Sequence, residues 1–138
     1  MGGANLPIKV FNRSSDSGTQ GFFKDDVLLA EKFAPESANF KTWERDETTA
    51  VLRVLGNNGI YYTTISQAEH QEIIRIVPID GINPEDKKSI LDRTYPLVRF
   101  VYLAVPKQSS PAVKKFVEFA LSAEGQRIVE QAEFIRLK

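Results

Sequence analysis

The sequence contains no cysteine and a single histidine, His70. The first absence rules out disulfides, thiolate metal sites and cysteine nucleophiles. The second leaves no histidine cluster for a metal. Net charge is absent too: 18 basic residues balance 18 acidic ones. No basic run or stripe stands out, so the chain lacks the electrostatic footprint of a general nucleic-acid binder. Any anion site must then be assembled locally, not by the field of the whole protein. There is no run of about 18 apolar residues, so no segment reads as a membrane-spanning helix. The opening MGGANLPIKV has neither the basic start nor the apolar stretch of a secretory signal. Two readings follow, a cytosolic protein or a chain whose start lies inside a longer one. No glycine is followed by Gly-Lys-Ser/Thr, so a nucleotide-binding P-loop is not supported.

What is present is ordinary globular material, 42% hydrophobic and 26% charged over 138 residues, enough to bury a core. Residues 8–13 (IKVFNR) alternate and predict a short strand. The polar run 14–21 leads into FFKDDVLLAEKF, where Phe23, Val27 and Ala30 share a helical face. Residues 34–45 read as a loop in which Phe40 and Trp43 close a hydrophobic edge. Residues 46–55 read as a helix capped by Asp46 and ended by Gly56 or Asn57. Strands are expected at 60–65 and 73–80, the latter closed by the turn dipeptide Asp80-Gly81. Asn83-Pro84 opens a short helix reaching Leu91. Residues 95–105 (YPLVRFVYLAV) are the most apolar stretch and predict a strand buried on both faces. Ser110-Pro111 starts the best helix, with Val113, Phe116, Val117, Ala120 and Leu121 on one face. Ser122 and Gly125 mark a break before a second segment through Ile128 and Val129. The order implies an α/β fold with a mixed sheet flanked by helices.

One constellation carries chemistry. Arg13-Ser14-Ser15-Asp16-Ser17-Gly18-Thr19 lies between a strand and a helix start. A helix N-terminus offers unpaired N–H groups and a partial positive charge, which suit an anion. Gly18 lets backbone approach a ligand closely. Ser17 and Thr19 add hydroxyl donors. Arg13 adds a planar, two-pronged donor for a tetrahedral oxyanion. The plainer reading is a helix cap beside a surface arginine, and local sequence alone favours it. His70, in QAEHQE, reads as a solvated loop residue. Lys114, Lys115 and Arg127 read as the wet face of a helix, and Asp25-Asp26 and Glu85-Asp86 as helix surface. No metal or catalytic residue is singled out.

The loop resembles the phosphate-gripping loop of the phosphate-binding proteins of ABC-type transporters. Gly2-Gly3-Ala4-Asn5-Leu6-Pro7-Ile8, Ile79-Asp80-Gly81, Tyr95-Pro96-Leu97-Val98-Arg99 and Phe119-Ala120-Leu121-Ser122-Ala123-Glu124-Gly125-Gln126 resemble further family landmarks in the same order. The resemblance implies about half of a two-lobed type II periplasmic-binding-protein fold. Residues 1 to about 95 would belong mainly to the second lobe; about 96–138 would be a crossover strand and helices returning to the first. It implies inorganic phosphate as ligand, held by Arg13, Ser17, Gly18 and Thr19, and no cofactor and no enzymatic activity. It also implies a membrane permease as partner of the full-length protein, and a periplasmic or extracellular location with or without a membrane anchor. Family members often steady the arginine with an acid in the spacer; Asp16 occupies that spacer at an unusual position. Tyr61 stands where the family's usual Ile-Gly-Tyr has glycine. An uncovered apolar face on the C-terminal helix would favour a homodimer of the chain by itself, or refolding of that helix onto the chain's own sheet.

Two rivals accompany this reading. Receptors for tungstate, molybdate or sulfate share the architecture and related Ser/Thr-Gly loops. Asp16-Ser17-Gly18-Thr19 also matches the aspartic-protease signature, which would pair two Asp16 carboxylates in a dimer; that fold is nearly all β, against the helices expected here. A receptor-like domain reused for sensing is a third reading, weakened by the presence of all four loop residues.

Overall fold

The computed structural model describes residues 5–137; Gly2, Gly3 and Ala4 of the opening motif lie outside them. The described residues form two compact units that part between Arg75 and Ile76.

The N-terminal unit is built on three short strands, β1 (Lys9–Asn12), β2 (Phe40–Thr42) and β3 (Gly59–Tyr61), in the order β2-β1-β3. Both pairings are parallel: Val10 lies opposite Phe40 on one side and Ile60 on the other. The fold is α/β as expected, but the sheet among the described residues is parallel throughout rather than mixed. Parallel neighbours need crossover connections. The first contains α1 (Gly18–Phe22), which runs into a wider π-helical turn at Phe23–Val27. The second contains α2 (Thr48–Val54) and a tight 3-10 turn at Gly56–Asn58. Gly56 ends α2 with φ of 62°, a conformation in which a side chain is strained. A last short helix, α3 (Ile65–Ala68), follows β3.

The buried apolar core consists of Phe11, Val51, Leu52 and Ala68, with Val51 fully enclosed. Trp43 packs edge-on against Phe11, ring centres 6.3 Å apart, while Phe40 begins β2. That stretch also hides β2, which the loop reading missed. The helix after the loop begins at Gly18 and ends at Val27, earlier than the apolar spacing suggests. Leu29 and Ala30 have φ of 52° and 65°, so Ala30 lies past the helix end. Phe23 instead stacks on Tyr62 at 4.1 Å and on Phe33 at 6.5 Å.

The C-terminal unit contains α4 (Lys87–Leu91), α5 (Pro111–Leu121) and α6 (Ala123–Gln131). Ser110 caps α5 by accepting from the Val113 N–H, with Pro111 in the first turn. Ser122 closes α5 and caps α6, accepting from the Gly125 N–H at 3.2 Å. Asp80 and Gly81 form the expected tight turn between Ile79 and Ile82, with φ of 52° and 79°. Helix α4 opens later than Asn83-Pro84 implies. Its cap is Asp86, which accepts from the Lys88 N–H, while Asn83 turns its side chain onto the Glu85 N–H.

Residues 73–80 and 95–105 form no strand beyond the Ile79–Ile82 bridge. A strand exists through its partner, because its N–H and C=O groups must be paired. Neither segment has a strand beside it among the described residues. Val101 and Tyr102 accordingly stand 73% and 81% exposed.

Candidate functional site

Strand β1 lies in the middle of the sheet. The chain leaves it to build β2 on one side, then crosses to build β3 on the other. That reversal is a topological switch point, and in open α/β sheets ligands bind beyond the carboxyl ends of the strands at such a point. Because all strands are parallel, the segments after β1, β2 and β3 emerge at the same edge. They bring together Arg13 and Ser17, then Asp46 and Thr48, then Thr63.

Arg13 is the organising side chain. It is only 3% exposed, which is costly for a charge unless it is paired and hydrogen-bonded. Its Nε donates to Ser17 Oγ at 2.7 Å. Nη1 donates to Thr48 Oγ1 at 2.9 Å and Thr63 Oγ1 at 3.1 Å. Nη2 donates to the Asp46 carboxylate in a short ion pair. Its guanidinium carbon sits 5.5 Å from the Tyr61 ring centre, a cation–π distance. Gln20 from α1 donates to the Arg13 carbonyl at 2.6 Å.

Asp46 thus does what the spacer acid was expected to do. Asp16 is exposed and accepts from the Ser14 hydroxyl instead; that bond holds its carboxyl below the usual value, with a smaller contribution from its own backbone. Asp46 is not the cap of α2 either, since Glu47 holds that position with no capping side chain. A sequence signal for the Arg13–Asp46 pair existed only for a reader who saw β2. Once Phe40–Thr42 is a strand parallel to β1, the loops 13–17 and 43–47 must share an edge.

Ser17 is buried at 3% exposure. Its side chain makes no capping bond to α1, so the bland cap reading does not describe its Oγ. Its N–H is taken by the Ser14 carbonyl at 3.1 Å, which removes that N–H from the donors expected of it. Gly18 is exposed and Thr19 half-buried at the start of α1. The loop residues are therefore brought together, with Ser17 on the guanidinium and Gly18-Thr19 opening the helix.

Asn12, 2% exposed, closes the floor. It donates to Thr42 Oγ1 at 3.2 Å and accepts from the Tyr62 hydroxyl. Burial raises the Tyr62 phenol above its usual value, opposed by the Arg13 backbone and charge. Tyr61, standing where the family pattern has glycine, is the ring over which Arg13 lies.

The chain matches the family model of the PBP superfamily domain over residues 1–124, and it belongs to that superfamily. More particularly, it is 30% identical to the phosphate-binding protein PstS of Pseudomonas aeruginosa, over 97% of this chain and 43% of that protein. It is 28% identical to the phosphate-binding protein PstS 2 of Streptococcus agalactiae, over 94% of the chain and 46% of that protein. Among solved structures, the phosphate-binding protein of a Streptococcus pneumoniae phosphate ABC transporter superposes with a TM-score of 0.74 at 26% identity, covering 95% of this chain and 52% of that one. A substrate-binding protein of a putative phosphate ABC transporter from Clostridium perfringens, with bound phosphate, gives 0.73 at 29% identity, covering 96% and 53%. The chain spans about half the length of the proteins it matches. The parallel α/β architecture is not the nearly all-β fold the peptidase reading requires. Among the described residues no helix is long and apolar enough to cross a membrane.

Proposed function

We propose that this chain supplies one side of the inorganic phosphate site of an ABC-transporter solute-binding protein, with Arg13, Ser17, Gly18 and Thr19 as the residues that hold the anion. The observation that carries this reading is the buried Arg13, locked at the switch point of a parallel sheet beside a helix start. A tetrahedral oxyanion there meets the Ser17 hydroxyl, the start of α1 and the outer edge of the guanidinium. The likeness to proteins named for phosphate binding, one solved with phosphate bound, supports the choice of anion.

Several further properties belong to the same reading. The whole protein would deliver phosphate to a membrane permease from the periplasm or outer cell surface, without enzymatic chemistry or a cofactor. Residues up to about 95 would lie mainly in the second lobe, and 96–138 would return to the first. By itself the chain would bind phosphate weakly, because donors from the other lobe are not in it. The exposed Phe116 and Leu121 of α5 would drive it toward a homodimer. A receptor for tungstate, molybdate or sulfate remains the alternative, since all are tetrahedral oxyanions. Calorimetric titration with phosphate, sulfate, molybdate and tungstate tests the choice. Phosphate binding that is displaced only weakly by the other anions is expected; tungstate or sulfate binding in preference to phosphate would replace this reading by the alternative.

A further inference from the structure

The hydrogen bonds around Arg13 have a direction that its chemistry fixes. A guanidinium donates and never accepts. Thr48 Oγ1 and Thr63 Oγ1 both receive its Nη1 protons, at 2.9 and 3.1 Å. Each threonine hydroxyl has one proton of its own, which must then point away from the arginine. Both find the same acceptor: Gln67 Oε1, 3.0 Å from Thr48 Oγ1 and 2.6 Å from Thr63 Oγ1. The Thr64 hydroxyl reaches that oxygen too, at 3.3 Å. The same logic orients the Gln67 amide. Its NH₂ turned inward would face two hydroxyl oxygens already accepting from Arg13; those hydroxyls lie 3.2 Å apart and could place one proton between themselves, but the other would lose its acceptor among the described residues.

We infer that Gln67 is a positioning residue for the anion site: its side-chain oxygen takes the hydroxyl protons of Thr48 and Thr63 and so makes both threonines acceptors that fix the guanidinium of Arg13. This rests on the proposed phosphate site and deepens it. With Nη1 engaged by the threonines, Nε by Ser17 and Nη2 by Asp46, the arginine cannot present two adjacent N–H groups as a fork. It contributes a single Nη2 hydrogen, while its charge polarises the Ser17 hydroxyl. That hydroxyl accepts from Nε, so its proton is directed outward. Ser17 becomes the charge-assisted donor to the oxyanion, and the threonines, committed to Gln67, do not donate to it. Helix α3, which carries Gln67, acquires a role that neither its length nor its sequence suggests.

The test compares Gln67→Met, similar in size but without the amide oxygen, and Gln67→Glu, which keeps an oxygen acceptor, with the unchanged protein. The first readout is NMR of the arginine side-chain N–H signals without any anion. In the Met variant the Arg13 Nη1 protons should exchange with water faster and the guanidinium should rotate more freely, with β1–β3 amide signals unshifted. The Glu variant should restore slow exchange. The second readout is phosphate titration, where the Met variant should bind about three- to tenfold more weakly, the effect of one net hydrogen bond that water partly replaces. Arg13 signals unchanged in the Met variant would overturn the inference. Absence of phosphate binding in the unchanged protein would instead sink the proposed function, while the arginine signals still decide the part played by Gln67.

Discussion

Two stretches of this chain carry comparable apolar β-type sequence and meet opposite fates. Within residues 8–13, Lys9–Asn12 become the central strand of a sheet, with Phe11 buried and neighbours on both sides. Residues 95–105 are more apolar still, yet pair with nothing among the described residues, and Val101 and Tyr102 lie open. Apolar pattern announces what a segment would do if a partner were present. It does not supply the partner. The first unit closes its ladder within the chain and can hold a buried charge; the second contains capped helices on which Phe116, Leu121 and Ile128 stay exposed.

The sharpest way to break this contrast is to remove the buried charge. Arg13→Ala leaves Asp46 and Ser17 without their donor, and unfolding by denaturant should show a loss of about 3 kcal/mol. A loss below that of an ordinary surface change would mean the network does not organise the first unit. Next comes a matched pair of valines. Val51→Ala empties enclosed space and should cost about 2 kcal/mol, whereas Val101→Ala, 73% exposed, should change stability by under about 0.5 kcal/mol. Equal effects in thermal melts would show that 95–105 is covered after all.

A third comparison decides which acid holds the arginine. Asp46 is 38% exposed, so its ion pair is partly screened; Asp46→Asn should cost about 1 kcal/mol, and Asp16→Asn should leave the unfolding temperature unchanged. The reverse order would return the steadying role to the spacer. The smallest effect is in pH. Tyr62 has a folded pKa raised above its ordinary value of 10.0, chiefly by burial. Its contribution is fully present below that value and is lost as pH rises through the higher folded value. Stability should therefore fall on the alkaline side of pH 10 in the unchanged protein, and less so in Tyr62→Phe.

Much of this was legible in advance, and the failures have physical causes. The helix start at Ser110, the break at Ser122, the turn at Asp80-Gly81 and the end of α2 at Gly56 are local chemistry, decided by residues next to one another. Strand β1 and the loop 13–19 were legible for the same reason. Strand β2 was not, because its only strong signals are Phe40 and Trp43 amid polar residues, and its existence depends on pairing with β1 thirty residues earlier. Missing β2 hid Asp46, which read as a cap. Gln67 was hidden more deeply: nothing local distinguishes it from any exposed glutamine, and its place follows from Thr48 at the start of α2 and Thr63 after β3, whose hydroxyls both reach its oxygen.

The claim that matters most is that the loop after β1 holds phosphate and that Arg13 organises it. Amide shifts followed during a phosphate titration, on this chain and on Arg13→Ala, test it most directly. Saturable shifts confined to Ser17, Gly18, Thr19 and the next turn, absent in the variant, are expected. Shifts elsewhere, or equal shifts in both proteins, would contradict it.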